Sequence, residues 1–249
     1  IFFSNFISPI RCSPRGSVLG PLLFIIYLND IVHCISSGSK MNRFADDIAL
    51  HRIIRSINDY SALQADIDAV SDCLAGALNP SKCCHLFISH KRIYSISPPC
   101  LTLNGQELAR VSSYKYLGVL ITSDLMWSSH IAKVCNKTRK LIGLFYRTFY
   151  KRSTVETMLK LYCSFIRSHL EYAAAAWDPY LKKDIDLLED VQKFALKVCN
   201  KSWNLSYEEL LSKSHLASLQ TRHQQFKLCH IFKIVHNFAF SLRHLSKLS

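Results

Sequence analysis

The period of the hydrophobic positions changes about halfway along this chain. In the first half, short apolar runs alternate with turn residues. In Met41-Asn42-Arg43-Phe44-Ala45-Asp46-Asp47-Ile48-Ala49-Leu50, apolar segments flank two acids, which predicts a tight β-hairpin with Asp46 and Asp47 at its tip. Upstream, Pro21 suits the first turn of a helix, and Leu22, Leu23, Ile26, Tyr27 and Ile31 then recur at helical spacing. Residues 56–78 repeat that spacing with Leu63, Ile67, Val70 and Leu74 on one side. Leu86-Phe87-Ile88 reads as an apolar strand, and Asn104-Gly105 between apolar runs is a strong two-residue hairpin signal. Tyr116-Leu117-Gly118-Val119-Leu120-Ile121 reads as a buried strand in which Gly118 permits close backbone approach.

From Ser128 onward the pattern is helical. At about 100° per residue, Ile131, Val134, Cys135, Thr138, Leu141, Ile142, Phe145 and Phe149 share one arc, while Lys133, Lys137, Lys140, Arg147 and Lys151 share the opposite one. Further helices are expected over 154–172, 184–201 and 216–238, with no internal repeat. The pattern therefore predicts an α+β chain with a sheet-and-helix part over 1–127 and an all-helical part over 128–249.

Charge sharpens that division. The 249 residues carry a formal net charge of +13. Residues 1–128 hold 11 Lys/Arg against 9 Asp/Glu, whereas residues 129–249 hold 20 against 9. A near-neutral half beside a strongly basic one points to one part for chemistry or folding and another for holding a polyanion. No acid occurs between His130 and Thr154, which favours a phosphate track on the basic arc over a merely solvated face.

Neighbouring carboxylates repel, so Asp46-Asp47 makes most sense with a cation in front of it, although a solvated turn is the ordinary alternative. Glycines ahead of a helix, as in Ser13-Pro14-Arg15-Gly16-Ser17-Val18-Leu19-Gly20-Pro21, let backbone N–H groups approach phosphate. Of the ten cysteines, Cys135, Cys163, Cys199 and Cys229 lie inside apolar helical patterns, as reduced core thiols do. Cys83-Cys84-His85 with His90 lacks a second ligand pair at zinc spacing. The apolar run 18–27 is too short to span a bilayer and contains Pro21. The expectation is a soluble, intracellular protein with reduced cysteines, nuclear or cytoplasmic, and no membrane association.

Gly16-Ser17-Val18-Leu19-Gly20-Pro21-Leu22-Leu23-Phe24, then Tyr27-Leu28-Asn29-Asp30-Ile31, then Phe44-Ala45-Asp46-Asp47 resembles the reverse transcriptase of non-LTR (LINE-type) retrotransposons. The likeness continues through Leu78-Asn79-Pro80-Ser81-Lys82-Cys83, Leu103-Asn104-Gly105, Tyr114-Lys115-Tyr116-Leu117-Gly118-Val119 and Trp127-Ser128-Ser129-His130-Ile131. It extends to Leu170-Glu171-Tyr172-Ala173, Trp177-Asp178-Pro179 and the stretch around Leu187, Glu189, Gln192 and Phe194.

The resemblance implies a partial polymerase palm, an antiparallel sheet backed by helices, followed by a helical thumb. It implies nucleotidyl transfer on an RNA template with a DNA primer or target, using Mg²⁺. Asp46 would ligate metal with Asp47 assisting it, and Arg15, Gly16 and Ser17 would lie under the incoming nucleotide and template. Lys82 would serve the leaving pyrophosphate, a plain surface lysine being the alternative. The family's other essential aspartate belongs upstream, and residues 1–12 hold no Asp or Glu. The expectation is a chain that opens inside the palm and does not polymerise alone. Departures accompany this. Arg15 stands where the family usually has Gln, and Cys84 where it has Lys. The stretch 73–78 is short and lacks a Trp, and Ser168, Ala175 and Ala217 stand at positions where prolines are common. A residual nucleic-acid-binding module, or a degenerate retrotransposon product with no selected function, stays open as an alternative.

Overall fold

A computed structural model describes residues 2–3, 26, 30–45, 47–74, 78–89 and 99–236. The chain divides into two compact units, Ile1–Leu125 and Met126–Ser249. The α+β organisation expected from the sequence is observed, with strands in the first unit and, among the described residues, helices alone in the second.

The first unit contains a five-stranded sheet among the described residues, in the order β2-β3-β1-β4-β7. Its strands are β1 (Phe2–Phe3), β2 (Ser39–Phe44), β3 (Asp47–Arg52), β4 (Cys83–Leu86) and β7 (Ala109–Val111). β1 runs antiparallel to both β3 and β4, and β4 pairs parallel with β7. The helix α1 (Ile57–Cys73) packs on the sheet. Ser56 caps it in extended geometry, and Asp59 Oδ2 accepts from the backbone N–H groups of Arg55 and Ser56 at 2.9 and 2.8 Å. Leu63, Ile67, Val70 and Leu74, the predicted arc, pack against Ile48 and Leu50 of β3 and Cys83 of β4 to form the core. Full burial of such side chains contributes about 1.5–3 kcal/mol each. The helix stops at Cys73, short of the expected residue 78, with Leu74 as its cap.

Asn104-Gly105 forms the expected two-residue turn, between β5 (Thr102–Leu103) and β6 (Gln106–Glu107), with both residues at positive φ. The predicted strand over 116–121 is instead a second hairpin, β8 (Ser113–Tyr116) and β9 (Val119–Thr122). Leu117 and Gly118 make its turn at φ 46° and 87°, so Gly118 supplies backbone freedom at a corner rather than close approach within a strand.

The second unit is helical throughout its described residues. α2 (Ser128–Phe149) leads, and its Ser128 hydroxyl donates to Asp184 Oδ2 at 2.6 Å. The helix expected over 154–172 is a run of three pieces. These are α3 (Val155–Leu161), a wider π turn (Tyr162–Ile166) and α4 (Arg167–Glu171). After α5 (Ala174–Trp177) come α6 (Lys182–Asn200), α7 (Tyr207–Ser214) and α8 (Leu219–Val235). Buried polar groups pair across these helices. Tyr162 Oη donates to Gln192 Oε1 at 2.6 Å, and Gln192 Nε2 donates to Tyr207 Oη at 2.9 Å and to the Ala217 carbonyl at 3.0 Å.

Two cysteine expectations need correction. Cys34 and Cys73 form a disulfide rather than free thiols, and Cys229 is exposed, whereas Cys135 and Cys199 are buried as expected. No described helix is long and apolar enough to cross a membrane.

Candidate functional site: acidic hairpin and basic helix

The β2–β3 hairpin presents the acids. Its register runs from Ser39↔Arg52 to Phe44↔Asp47, so the connection consists of Ala45 and Asp46. Ala45 lies at φ 49°, the left-handed geometry that two-residue hairpin turns demand. Asp47 is therefore the first residue of the strand rather than part of the turn. Asp47 is half-buried and opens β3, while Asp46 lies outside the described residues. Arg15, Gly16 and Ser17 also lie outside them, as does most of the helix expected after Pro21.

β3 can hold its first residue firmly because it is a central strand whose Ile48, Ala49 and Leu50 are buried. Tyr116, at the end of β8, feels the Asp47 charge. Burial first, and then the Asp47 and Tyr114 oxygens, push its phenol above the ordinary range. That phenol therefore stays neutral at neutral pH.

Lys82 closes the short 3₁₀ turn Pro80–Lys82 directly before β4, and its side chain is exposed. β3 and β4 start at the same end of the sheet, since both run antiparallel to β1, with Phe3 opposite Ile48 on one side and Cys83 on the other. Asp47 and Lys82 thus share one sheet edge, two strand spacings or roughly 10 Å apart.

The opposite end of the hairpin is tied to α1 by a polar cluster that the sequence reading missed. Asp66, 4% exposed, accepts from the Ser36 backbone N–H at 2.7 Å, from Ser36 Oγ at 3.0 Å and from Ser39 Oγ. Arg52 Nη1 lies 3.5 Å from Asp66 and donates to Ser36 Oγ at 2.9 Å and Ser39 Oγ at 3.2 Å. Ser39 and Arg52 are the terminal pair of the hairpin, so these bonds clamp its foot to the covering helix. The available signal was an aspartate beside Ile67 on the apolar arc of α1, a place where a carboxylate needs partners.

Among the described residues, no three His, Cys, Asp or Glu side chains come together as a metal set. Asp47 is the carboxylate that the described hairpin offers, and a divalent site needs further oxygens beyond it.

In the second unit, α2 is divided as the sequence pattern predicts. Ile131, Cys135, Thr138 and Ile142 are buried, and Lys133, Lys137, Lys140 and Arg147 are exposed, with exposed Lys151 just past the helix end. None of these five forms an ion pair among the described residues. Leu144 and Tyr146 stand exposed on the same helix. Such a surface offers mobile ammonium and guanidinium groups to phosphates and apolar area to bases.

Residues 6–121 match the family described as reverse transcriptase (RNA-dependent DNA polymerase). The chain is 25% identical over 210 residues to the RNA-directed DNA polymerase from mobile element jockey of Drosophila funebris, covering 79% of this chain and 23% of that protein. It is 25% identical over 202 residues to the probable RNA-directed DNA polymerase from transposon X-element of Drosophila melanogaster, covering 76% and 22%. To the jockey polymerase of Drosophila melanogaster it is 28% identical over 143 residues, covering 53% and 15%. The chain thus spans less than a quarter of the length of these relatives. No solved structure matches it.

Proposed function

We propose that this chain, a homologue of the RNA-directed DNA polymerases of LINE-type mobile elements with a reverse-transcriptase region over residues 6–121, is a palm-and-thumb part of such a polymerase. The first unit is the partial palm and the second the thumb region. The observation that carries the reading is the common sheet edge at the starts of β3 and β4, which gathers Asp47 and Lys82.

The reaction joins a primer 3′-oxygen to the α-phosphorus of a nucleotide and releases pyrophosphate. Asp46 and Asp47 would hold Mg²⁺, which when bound supplies Lewis acidity and charge neutralisation. Central β3 fixes the position of Asp47, and the Asp66–Arg52 clamp fixes the strand. Lys82 offers its ammonium proton to the departing pyrophosphate oxygen, as a general acid does. Arg15, Gly16 and Ser17 would lie under the nucleotide and template, as the family resemblance implies. Lys133, Lys137, Lys140, Arg147 and Lys151 hold the phosphate backbone of the RNA template and DNA primer. Two-metal transfer needs carboxylates from two places, and the hairpin supplies one. The chain alone therefore binds template–primer and does not extend it.

Purified chain with an RNA template, DNA primer, nucleotides and Mg²⁺ tests both parts. Retention of the template–primer at low salt, without extension, is the expected result. Extension that is abolished by Asp46→Asn would overturn the need for a second carboxylate. Failure to retain any nucleic acid at low salt would remove the polymerase-part reading and the simpler binding-module reading together.

A further inference from the structure

Gly143 stands in the interior of α2, a helix that runs unbroken from Ser128 to Phe149. Glycine is a poor residue for such a place, because it has the most backbone freedom to lose. Neither backbone nor packing calls for it here. Gly143 is not among the glycines at positive φ, and a Cβ added to it would meet nothing within 4 Å among the described residues. A side chain would fit, yet the surface is bare.

Residues three and four apart are neighbours on a helix surface. Gly143 is therefore framed by Arg139 and Lys140 on the N-terminal side and by Tyr146 and Arg147 on the C-terminal side. All four are exposed. The three cations form no ion pair among the described residues. Arg139 and Tyr146 do not belong to the five-cation arc; they stand on the flank that Gly143 opens.

Tyr146 is also held in position. Helical side chains lean toward the N-terminus, and Tyr150 leans on Tyr146 with ring centroids 4.5 Å apart. Lys201, just past α6, anchors Tyr150 in turn. Its Nζ lies 5.6 Å from that ring's centroid and donates to the Ser153 carbonyl at 2.9 Å. Tyr150 is half-buried, whereas Tyr146, next in the row toward Gly143, is 43% exposed.

An exposed ring with a fixed neighbour, beside bare backbone and three cations, suits a flat ring joined to phosphate. We propose that Gly143 is the floor of a notch for one unpaired nucleotide of a single strand. The base stacks on Tyr146 over the glycine, and Arg139, Lys140 and Arg147 take the flanking phosphates. A base stacked inside a duplex has no free face to offer, so the notch selects unpaired strand. This rests on the reading of α2 as a phosphate track and adds contact with a base, which cations alone do not supply.

A labelled oligothymidylate of twelve nucleotides, and a strand with the same phosphates but abasic sugars, are titrated against the full chain by fluorescence anisotropy. One stacked base contributes about tenfold in affinity, so the thymine strand should bind about tenfold more tightly than the abasic one. Tyr146→Ala should abolish that preference and leave the salt slope unchanged, while Tyr146→Phe, which keeps the ring, should preserve it. Gly143→Gln fills the notch with a residue that favours helix. It should hold or raise the thermal midpoint and lower affinity for the thymine strand about tenfold. Arg139→Ala should lower the slope of log affinity against log salt by about 0.7 for both strands, and an unchanged slope would remove that residue from the notch. Equal binding of the two strands by the unaltered chain, or a base preference that survives Tyr146→Ala or Gly143→Gln, would overturn the notch and leave the phosphate track in place. Binding of neither strand would overturn both.

Discussion

Asp66 and Arg52 show how much of the acidic hairpin depends on residues remote from its tip. A buried carboxylate is tolerated only when its lone pairs are filled, and Asp66 is filled by Ser36, Ser39 and Arg52, which belong to β2, β3 and the loop before them. Removing one partner leaves the other charge buried and uncompensated. Asp66→Ala is therefore expected to cost about 3 kcal/mol of unfolding free energy in urea titrations. Asp66→Ala with Arg52→Leu should cost less than the sum of the two single changes. Strict additivity in that double-mutant cycle would mean that the clamp carries no coupling. Histidines give a second expectation at this scale. Burial first, and then neighbouring positive charge, lowers the pKa of His85 in β4 and of His130 in α2 below the ordinary 6.5. A base whose folded pKa is depressed is held neutral by the fold, while the unfolded chain takes up its proton from about pH 6.5 downward. Their contribution is complete above that pH and is lost as pH falls through it toward the lower folded value. Unfolding free energy measured from pH 8 to pH 5 should decline below about 6.5, and His130→Phe should flatten part of the slope. An unchanged slope would show that His130 is not held neutral.

At the level of elements, the legible parts were those whose signal is local. The α1 arc, the Asn104-Gly105 turn and the two faces of α2 each follow from spacing or from one turn dipeptide. The misread parts hide the signal in an atypical residue. Leu117 and Ala45 both adopt positive φ, a conformation that favours glycine or asparagine, so neither announced a turn. This turned one hairpin into an apparent strand and left Asp47 of another in the strand instead of the expected turn. α7 is short, yet Ser206 and Glu209 carry a capping box that was available to be read, with the Ser206 N–H donating to Glu209 at 2.7 Å. The Cys34–Cys73 bridge joins residues 39 apart, and no spacing rule predicts which cysteines a fold brings together. Cys229 followed the helical period of α8 but fell among exposed Leu228, Ile231, Phe232 and Val235. Periodicity reports an apolar face; it does not report whether anything covers that face.

For the whole molecule, the uneven charge falls on two compact units, Ile1–Leu125 and Met126–Ser249. If the polyanion is held by the second unit, the location of a cation should matter more than its charge alone. Each phosphate contact that is lost lowers the slope of log affinity against log salt by about 0.7 for a single strand and about 0.9 for a duplex. Changing Lys133, Lys137 and Lys140 together to Ala in the full chain should therefore reduce that slope by about two to three. Changing the exposed Lys40, Arg110 and Lys115 of the first unit removes the same charge and should leave the slope nearly unchanged. Filter binding across a salt series separates the outcomes. Equal losses from both triple variants would mean that net charge attracts nucleic acid without a track. A loss confined to the first-unit variant would move the polyanion away from α2, and with it the role assigned to that helix.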